Sequence, residues 1–348
     1  MVNNYDVIII GSGPAGLFSA ISIKNKKVLI LEKNSTPGKK LLISGAGQCN
    51  YTNHCDLNEF LNRYGNKGRF IKPALYNFTC EDTIKFFEEL GVESIIRDDK
   101  KVFPKSLKAI DILNALIKKC KENDVDIIYN KSALKVEYDF INKLFIVKTS
   151  DTLFECPILI IASGGKSYPQ TGSAGDGYIF AENLGHKIEK TQPALTPVYI
   201  ENYNFQDLSG VSCKDIQLTI WRNNKKINSF KGDMLFTHKN ISGPIIINNS
   251  RYIETGDILK VNFTGFSNND EFKSFLEQEI MISGKLNVKT VIFKLNIPKR
   301  LAEKILELSK ISDCKICSEL DKSSRKKLTE LLSNYPMKVI RLGDYNTA

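Results

Sequence analysis

Three glycines in Gly11-Ser12-Gly13-Pro14-Ala15-Gly16 stand between an apolar run at residues 6–10 and a helix-compatible stretch at 15–24. That spacing suits a dinucleotide. The first glycine allows a tight turn, the second lets backbone approach a pyrophosphate, and the third lets helix and strand pack closely. The helix then offers free N–H groups and its positive end to phosphate. A second apolar strand, 27–31, ends on Glu32. Its carboxylate suits a ribose diol, and its charge disfavours a 2′-phosphate. Glu32 follows Gly16 by sixteen positions, so the intervening helix must be short, with a clipped turn at Asn25-Lys26. A bare GxGxxG also fits a plain glycine turn. The strand before it, the helix after it and the acid closing the second strand favour the nucleotide. NAD and FAD both remain open on this motif.

The elements around the motif narrow the choice. A βαβ unit implies a parallel sheet. Strands are expected at 126–129, 133–137 and 144–148; the last two, joined by a turn at Asn142-Lys143, suggest a small antiparallel meander. A fully apolar strand at 156–162 follows and ends in Ala162-Ser163-Gly164-Gly165. In two-dinucleotide flavoproteins a strand ending in Ala-Thr-Gly returns to the sheet after such a meander, and its glycines let backbone lie against the cofactor. A glycine-ended strand by itself fits a simple turn. In this order it favours FAD.

Composition bounds the rest. The chain has 348 residues, 42% hydrophobic and 25% charged, enough for two or three domains with sizeable cores. No run of about 18 apolar residues suggests a membrane helix, and no signal sequence precedes the first strand. A cytoplasmic protein is expected. The formal charge of +10 admits an anionic partner. The lysines are scattered and no nucleic-acid motif is recognised, so a small-molecule substrate is expected and a nucleic acid is not. Eight cysteines are expected as thiols. Cys314-Lys-Ile-Cys317 is a lone CxxC without further ligands at metal spacing, so no metal is expected.

Helices are expected at 80–90, ending at Gly91, and at 110–121. Residues 35–53 read as a long glycine-rich loop. After Pro193, short strands at 198–200, 216–221, 233–236 and 258–263 suggest a small barrel or sandwich. Helices follow at 271–281, 288–295, 299–308 and 322–333. No catalytic triad is evident. His54, His186 and His238 lie in different elements; His238, on a loop between strand and helix, is the best histidine candidate for proton transfer, with a hydrogen-bonded turn residue as the alternative. Cys49 reads as a small packing residue or as a thiol near a flavin. Lys166 and Tyr168 carry no assignable role.

The order GSGPAG, LEK, GKKLLISGAGQCNYTN, VFPKS, ASGGKSYPQTGSAGDGY, LGHKI, PALTPV, LSGV, LFTHKNISGP resembles the bacterial FAD-dependent oxidoreductases of the aminoacetone oxidase family, relatives of the flavoprotein of bile-acid 7-dehydroxylation operons. The resemblance covers essentially the whole chain. It implies an α/β Rossmann-type FAD-binding domain at 1–192, interrupted by an antiparallel β-barrel at 193–266 and a helical subdomain at 267–336. Residues 337–348 would begin a return to the Rossmann domain. By motif, it implies that Gly11, Ser12, Gly13, Pro14, Ala15, Gly16, Glu32 and Lys33 line the ADP half of FAD. Lys40, Ser44, Gly45, Gly47, Gln48, Cys49 and Asn50 would run beside pyrophosphate and flavin. Ala162, Ser163 and Gly164 would close the adenine side, and Gly172 to Gly177, with Asp176, would lie near the flavin end.

Two departures from the family pattern stand out. Ala46 and Gln48 replace a glycine and an arginine, adding a methyl and removing a cation. The family's final glycine-rich segment does not follow residue 348, which leads to an expectation of truncation and of weaker FAD binding, through the ADP half. The leading expectation is an FAD-dependent oxidoreductase acting on a small organic substrate, with NAD(P)H as transient electron donor. A truncated flavin-fold protein without turnover and a flavoprotein acting on RNA are the alternatives.

Overall fold

The computed structural model describes residues 2–347, which divide between Lys190 and Thr191 into two compact units.

The first unit opens with β1 (Val2–Asn4), β2 (Val7–Ile10), α1 (Pro14–Ser22) and β3 (Val28–Leu31). Next come α2 (Lys39–Ile43), β4 (Thr52–Asn53), α3 (Leu57–Arg63), α4 (Gly68–Asn77) and α5 (Cys80–Glu89). It continues through β5 (Ser94–Ile96), β6 (Lys101–Pro104), α6 (Ala109–Glu122) and β7 (Asp126–Ile128). It closes with β8 (Lys135–Asp139), β9 (Leu144–Lys148), β10 (Leu153–Cys156), β11 (Ile158–Ile161) and α7 (Asp176–Asn183). The parallel sheet has the order β11-β2-β3-β7. Every residue of β2 and β3 is buried, because both faces of this sheet are covered. Val7, Ile9, Val28 and Ile30 pack toward α1 and α6. Ile8, Ile10, Leu29 and Leu31 pack toward the meander and Phe180. The meander holds, with an addition: β1 pairs parallel to β10, giving the order β1-β10-β9-β8. The apolar run at 156–162 is two strands that break at Pro157, one serving each sheet.

The second unit comprises β12 (Val198–Ile200), β13 (Ser212–Arg222), β14 (Lys225–Phe236), β15 (Ile241–Ser242), α8 (Pro244–Asn249) and β16 (Ile258–Asn262). Four helices follow, α9 (Asn269–Ile282), α10 (Val288–Ile292), α11 (Lys299–Ser309) and α12 (Lys322–Ser333), and then β17 (Tyr335–Leu342). The six strands close a barrel in the order β12-β15-β14-β13-β16-β17.

Two sequence-based boundaries are corrected here. Residues 337–348, expected to leave for the Rossmann domain, include most of β17, which pairs with both β12 and β16. Its alternating Tyr335, Met337 and Val339 are buried, the period-2 pattern of a strand with one face in a core. The boundary at 266/267 also does not separate two cores. Phe272, Leu276, Leu301 and Leu328 belong to the same buried cluster as the barrel residues Leu218, Phe236 and Val261.

Candidate cofactor site

The β2–α1 turn shows why each glycine is needed. Gly11 has φ +102°, and a Cβ there would lie 2.7 Å from the Ala162 carbonyl oxygen. A Cβ on Gly16 would lie 1.9 Å from the Gly11 carbonyl oxygen. Gly13 has open space instead, with nothing within 4 Å of where a Cβ would stand. Two glycines therefore serve close packing and the middle one leaves room for a ligand. Gly13 is also the N-cap of α1; no side chain caps this end and no acid sits in its first turn. Its positive end faces a cavity of about 660 Å³ lined by Gly13, Pro14 and Ala15.

Glu32 is buried on the same wall. One carboxylate oxygen accepts from the Ser12 N–H at 2.9 Å and the Ser12 hydroxyl at 2.5 Å. The other accepts from the Asn34 N–H and side-chain amide, both at 2.8 Å. Four donors hold the acid and tie the glycine turn to the end of β3. Lys33 pairs with Asp176 at 2.6 Å, and Lys39 donates to the Asn34 side-chain oxygen at 3.1 Å. Lys131, also on the lining, pairs with Asp151 at 2.7 Å. Lys40 lines the cavity and forms no ion pair among the described residues. Partial burial holds its pKa below the ordinary lysine value. Ala162 lies against Gly11 and Gly16, Ser163 against Gly177 and Gly164 against Ser173, and all three line the cavity. The Ser163 hydroxyl is buried without a hydrogen-bond partner, and a Cβ on Gly177 would come within 2.5 Å of it.

The glycine-rich loop is ordered by its backbone. Gly45, Ala46, Gly47 and Cys49 all have positive φ, from 55° to 84°. Ala46 adopts the left-handed region despite its methyl group, at a cost of about 1 kcal/mol. Asn50 donates through its side-chain amide to the Thr52 and Val102 carbonyls, and Cys49 is 1% exposed within the core beside α5 and α6. Burial pushes the Cys49 thiol pKa up. Cys49 thus faces inward while Asn50, itself exposed, braces the loop through its amide; the loop, expected to be irregular throughout, contains α2 and a 3-10 turn at Ser44–Gly47. Gln48 accepts from the Arg97 guanidinium at 2.6 Å, and that guanidinium lies 4.0 Å from the Phe103 ring centre.

Of the expected site residues, Gly11, Gly13, Pro14, Ala15, Glu32, Lys33, Lys40, Ala162, Ser163, Gly164 and Asp176 line the cavity. Ser12 and Gly16 build its turn from behind. Ser44, Gly45, Gly47, Gln48, Cys49 and Asn50 lie outside the lining. Asn34, Lys39, Lys131 and Ala133 line it and were missed; the signal for Asn34 was its place two residues after Glu32, and for Lys39 its place beside Lys40. His54, His186 and His238 are all exposed and none lines the cavity. Cys317 is buried while Cys314 is exposed, so the CxxC sulfurs face different surroundings.

An uncapped helix end, a glycine turn open at its middle position, an acid ending the second strand and an orphaned buried hydroxyl fit the phosphate and ribose chemistry of FAD. This is the dinucleotide-binding architecture of a flavoprotein. The chain belongs to the HI0933-like family: the HI0933-like protein Rossmann domain matches residues 5–237, and the HI0933-like protein barrel and H2TH domain matches 192–348. With that family it is an FAD-dependent oxidoreductase. It is 27% identical over 350 residues to a ribosomal RNA dihydrouridine synthase of Escherichia coli strain K12, covering 100% of this chain and 84% of that protein. It is 29% identical over 348 residues to a protein of the same name from Haemophilus influenzae, covering 98% and 83%. A 3-dehydro-bile acid delta(4,6)-reductase of Clostridium scindens is 29% identical over 255 residues, covering 71% and 60%. The expectation of no nucleic-acid partner loses its support here, since it rested on missing motifs and two relatives are named for RNA modification. Among the described residues no helix is long and apolar enough to cross a membrane.

Proposed function

We propose that this chain is an FAD-dependent reductase that adds hydrogen across a carbon–carbon double bond conjugated to a carbonyl, and that its substrate is a uridine of ribosomal RNA. The observation that carries the reading is the similarity to two ribosomal RNA dihydrouridine synthases over 100% and 98% of the chain, through both units. The net charge of +10 agrees with an anionic polymer as substrate. The chemistry also unites the relatives: the C5–C6 double bond of uracil and the double bonds of a 3-oxo-4,6-diene are both conjugated to a carbonyl.

The residues divide the work. The α1 N-terminus and Lys40 hold the pyrophosphate, the N–H groups by their dipole and the lysine by its unpaired charge. Glu32, fixed by Ser12 and Asn34, presents a carboxylate at the ribose and repels a 2′-phosphate. Ser163 gives its hydroxyl to the cofactor. FAD bound there supplies two-electron hydride chemistry. The balanced change is uridine plus NAD(P)H and a proton to dihydrouridine and NAD(P)⁺. The glycine-rich loop, braced by buried Cys49 and by the Asn50 amide, holds Gln48 against Arg97 of the β5–β6 turn.

A second reading, reduction of a small enone, is favoured by the similarity to the bile-acid reductase. One experiment separates them. Purified protein with FAD and NAD(P)H is offered an unmodified ribosomal RNA transcript, and separately a 3-oxo-4,6-diene steroid. The expected result is that uridine gains two hydrogens by nucleoside mass spectrometry and the steroid is unchanged. Steroid reduction with unaltered RNA overturns the RNA reading in favour of the second.

A further inference from the structure

The helical pair α3–α4 presents a surface that the cofactor site does not use. From Phe60 to Thr79 the chain carries no acidic residue. Lys67, Arg69 and Lys72 are exposed there and form no ion pair among the described residues. Glu59 and Asp82, acids near the two ends of the stretch, are engaged, while Glu81 is exposed beside Asp82. Glu59 binds Lys100 at 2.8 Å and Arg63 at 3.0 Å. Asp82 closes a capping box with Thr79. Lys67, Arg69 and Lys72 thus present their charge to solvent.

Aromatic rings are interleaved with them. Phe70 is 86% exposed, Tyr76 56% and Tyr64 46%. A phenylalanine so exposed beside two tyrosines marks an interaction surface rather than ordinary scatter. Lys72 and Tyr76, one helical turn apart, lie on the same face, with the ammonium 5.2 Å from the ring centre. The platform is held firmly from behind. Phe78, just past α4, packs edge-on against Phe18 and Phe86. Gly68 brings the two helices together: a Cβ there would lie 2.6 Å from the Leu61 carbonyl oxygen.

Exposed cations that form no ion pair among the described residues, and an exposed ring, Phe70, are the two components of a single-strand nucleic-acid surface. We infer that the α3–α4 face docks a single-stranded segment of RNA, with Lys67, Arg69 and Lys72 on its phosphates and Phe70 under a base. This deepens the RNA reading above and rests on it for the identity of the partner. The same unit connects this face to the cofactor loop. Lys100, bound to Glu59 of α3, lies in the β5–β6 turn that also carries Arg97, the partner of Gln48.

The test uses the full chain loaded with FAD, a labelled single-stranded uridine-rich oligoribonucleotide, and fluorescence anisotropy over a salt series. The triple variant Lys67→Ala/Arg69→Ala/Lys72→Ala is expected to bind at least about tenfold more weakly, and its salt slope to fall by about 2, at roughly 0.7 per phosphate contact. Phe70→Ala is expected to lose about tenfold with the slope unchanged, as removal of a stacking ring requires. Both variants keep flavin absorption and NAD(P)H bleaching, because none of these residues lines the cofactor cavity. Unchanged affinity in both variants, or no binding by the parent chain, overturns the inference. Dihydrouridine formation is scored in parallel. If the parent modifies RNA and the variants bind it equally well, the surface is wrong and the proposed function stands. If the variants lose binding and no dihydrouridine forms, the surface stands and the proposed reaction falls.

Discussion

The two units use their interiors for different ends. In residues 1–190 the parallel sheet separates two cores, and beyond the strand ends stand glycines and buried polar groups: Ser12, Glu32 and the orphaned Ser163 hydroxyl. In residues 191–348 one core continues from the barrel through α9 to α12. Phe205 stacks on Phe236 at 4.7 Å within it. The second unit buries polar groups too, Thr196, Asp257 and Asn262 among them; what sets the first apart is that its polar groups and glycines gather around one cavity. The single tryptophan, Trp221, lies in β13. Its fluorescence follows the second unit, while bound flavin follows the first.

That pair of probes allows the comparison to be broken. The largest effect is expected from Gly16→Val, whose Cβ would meet the Gly11 backbone with no flexible atom to yield. A loss of about 3 kcal/mol or more in the first unit is expected, with no retained flavin and unchanged Trp221 emission in equilibrium melts. Simultaneous loss of the Trp221 signal would show that the units unfold together, and the contrast between them would fail. The reciprocal change is Arg222→Ala. Arg222 binds Asp257 through two nitrogens at 2.8 and 2.9 Å, and the Asp257 side chain is 1% exposed. Stranding that carboxylate is expected to cost about 3 kcal/mol, the low end for a broken buried pair because the guanidinium is partly solvated. The Trp221 transition is expected to move to lower temperature, with flavin content unchanged before melting.

A smaller effect sharpens the view of the first unit. Lys40→Gln is expected to weaken FAD binding about tenfold, the loss of one charge-assisted contact. The pH dependence has a definite sign. Only the protonated lysine attracts pyrophosphate, and burial lowers its pKa, so FAD affinity is full at neutral pH and declines as pH rises, sooner than for an ordinary lysine. Lys40→Arg, charged throughout, is expected to flatten that decline in a flavin titration; an identical decline would place the titrating group elsewhere. The smallest expected effect is on stability in Gln48→Ala. It removes an exposed partner of Arg97 and is expected to leave both melting transitions in place.

Much of this molecule was legible where local pattern and final environment agree. The β2–α1–β3 unit follows from two short apolar runs around a glycine turn, and α12 spans residues 322–333 as its periodicity indicates. Helices α3 and α4 were missed because Gly65, Gly68 and Pro73 interrupt a polar stretch and few of its residues face a core. Asp56, which accepts from the Asn58 and Glu59 N–H groups, was the available signal for the first of them. Cys49 and Asn50 show the limit for the site. Their position in a cofactor-like loop was plain, but successive left-handed residues turn Cys49 into the core and commit the Asn50 amide to the Thr52 and Val102 carbonyls.

The sequence alone determined the elements whose stability comes from neighbours in the chain: the glycine turn, the acid at the end of β3, the amphipathic helices and the alternating strands. Tertiary structure decided pairings between distant residues. It placed β1 beside β10 and β17 between β12 and β16. It gave Lys33 to Asp176 and Lys39 to the Asn34 amide oxygen, and left Lys40 without an ion pair among the described residues. It also brought α3 and α4 together to raise Phe70 among cations. Period and propensity act over a few residues, whereas a hydrogen bond, an ion pair or an exposed ring depends on what the rest of the chain brings to the same place.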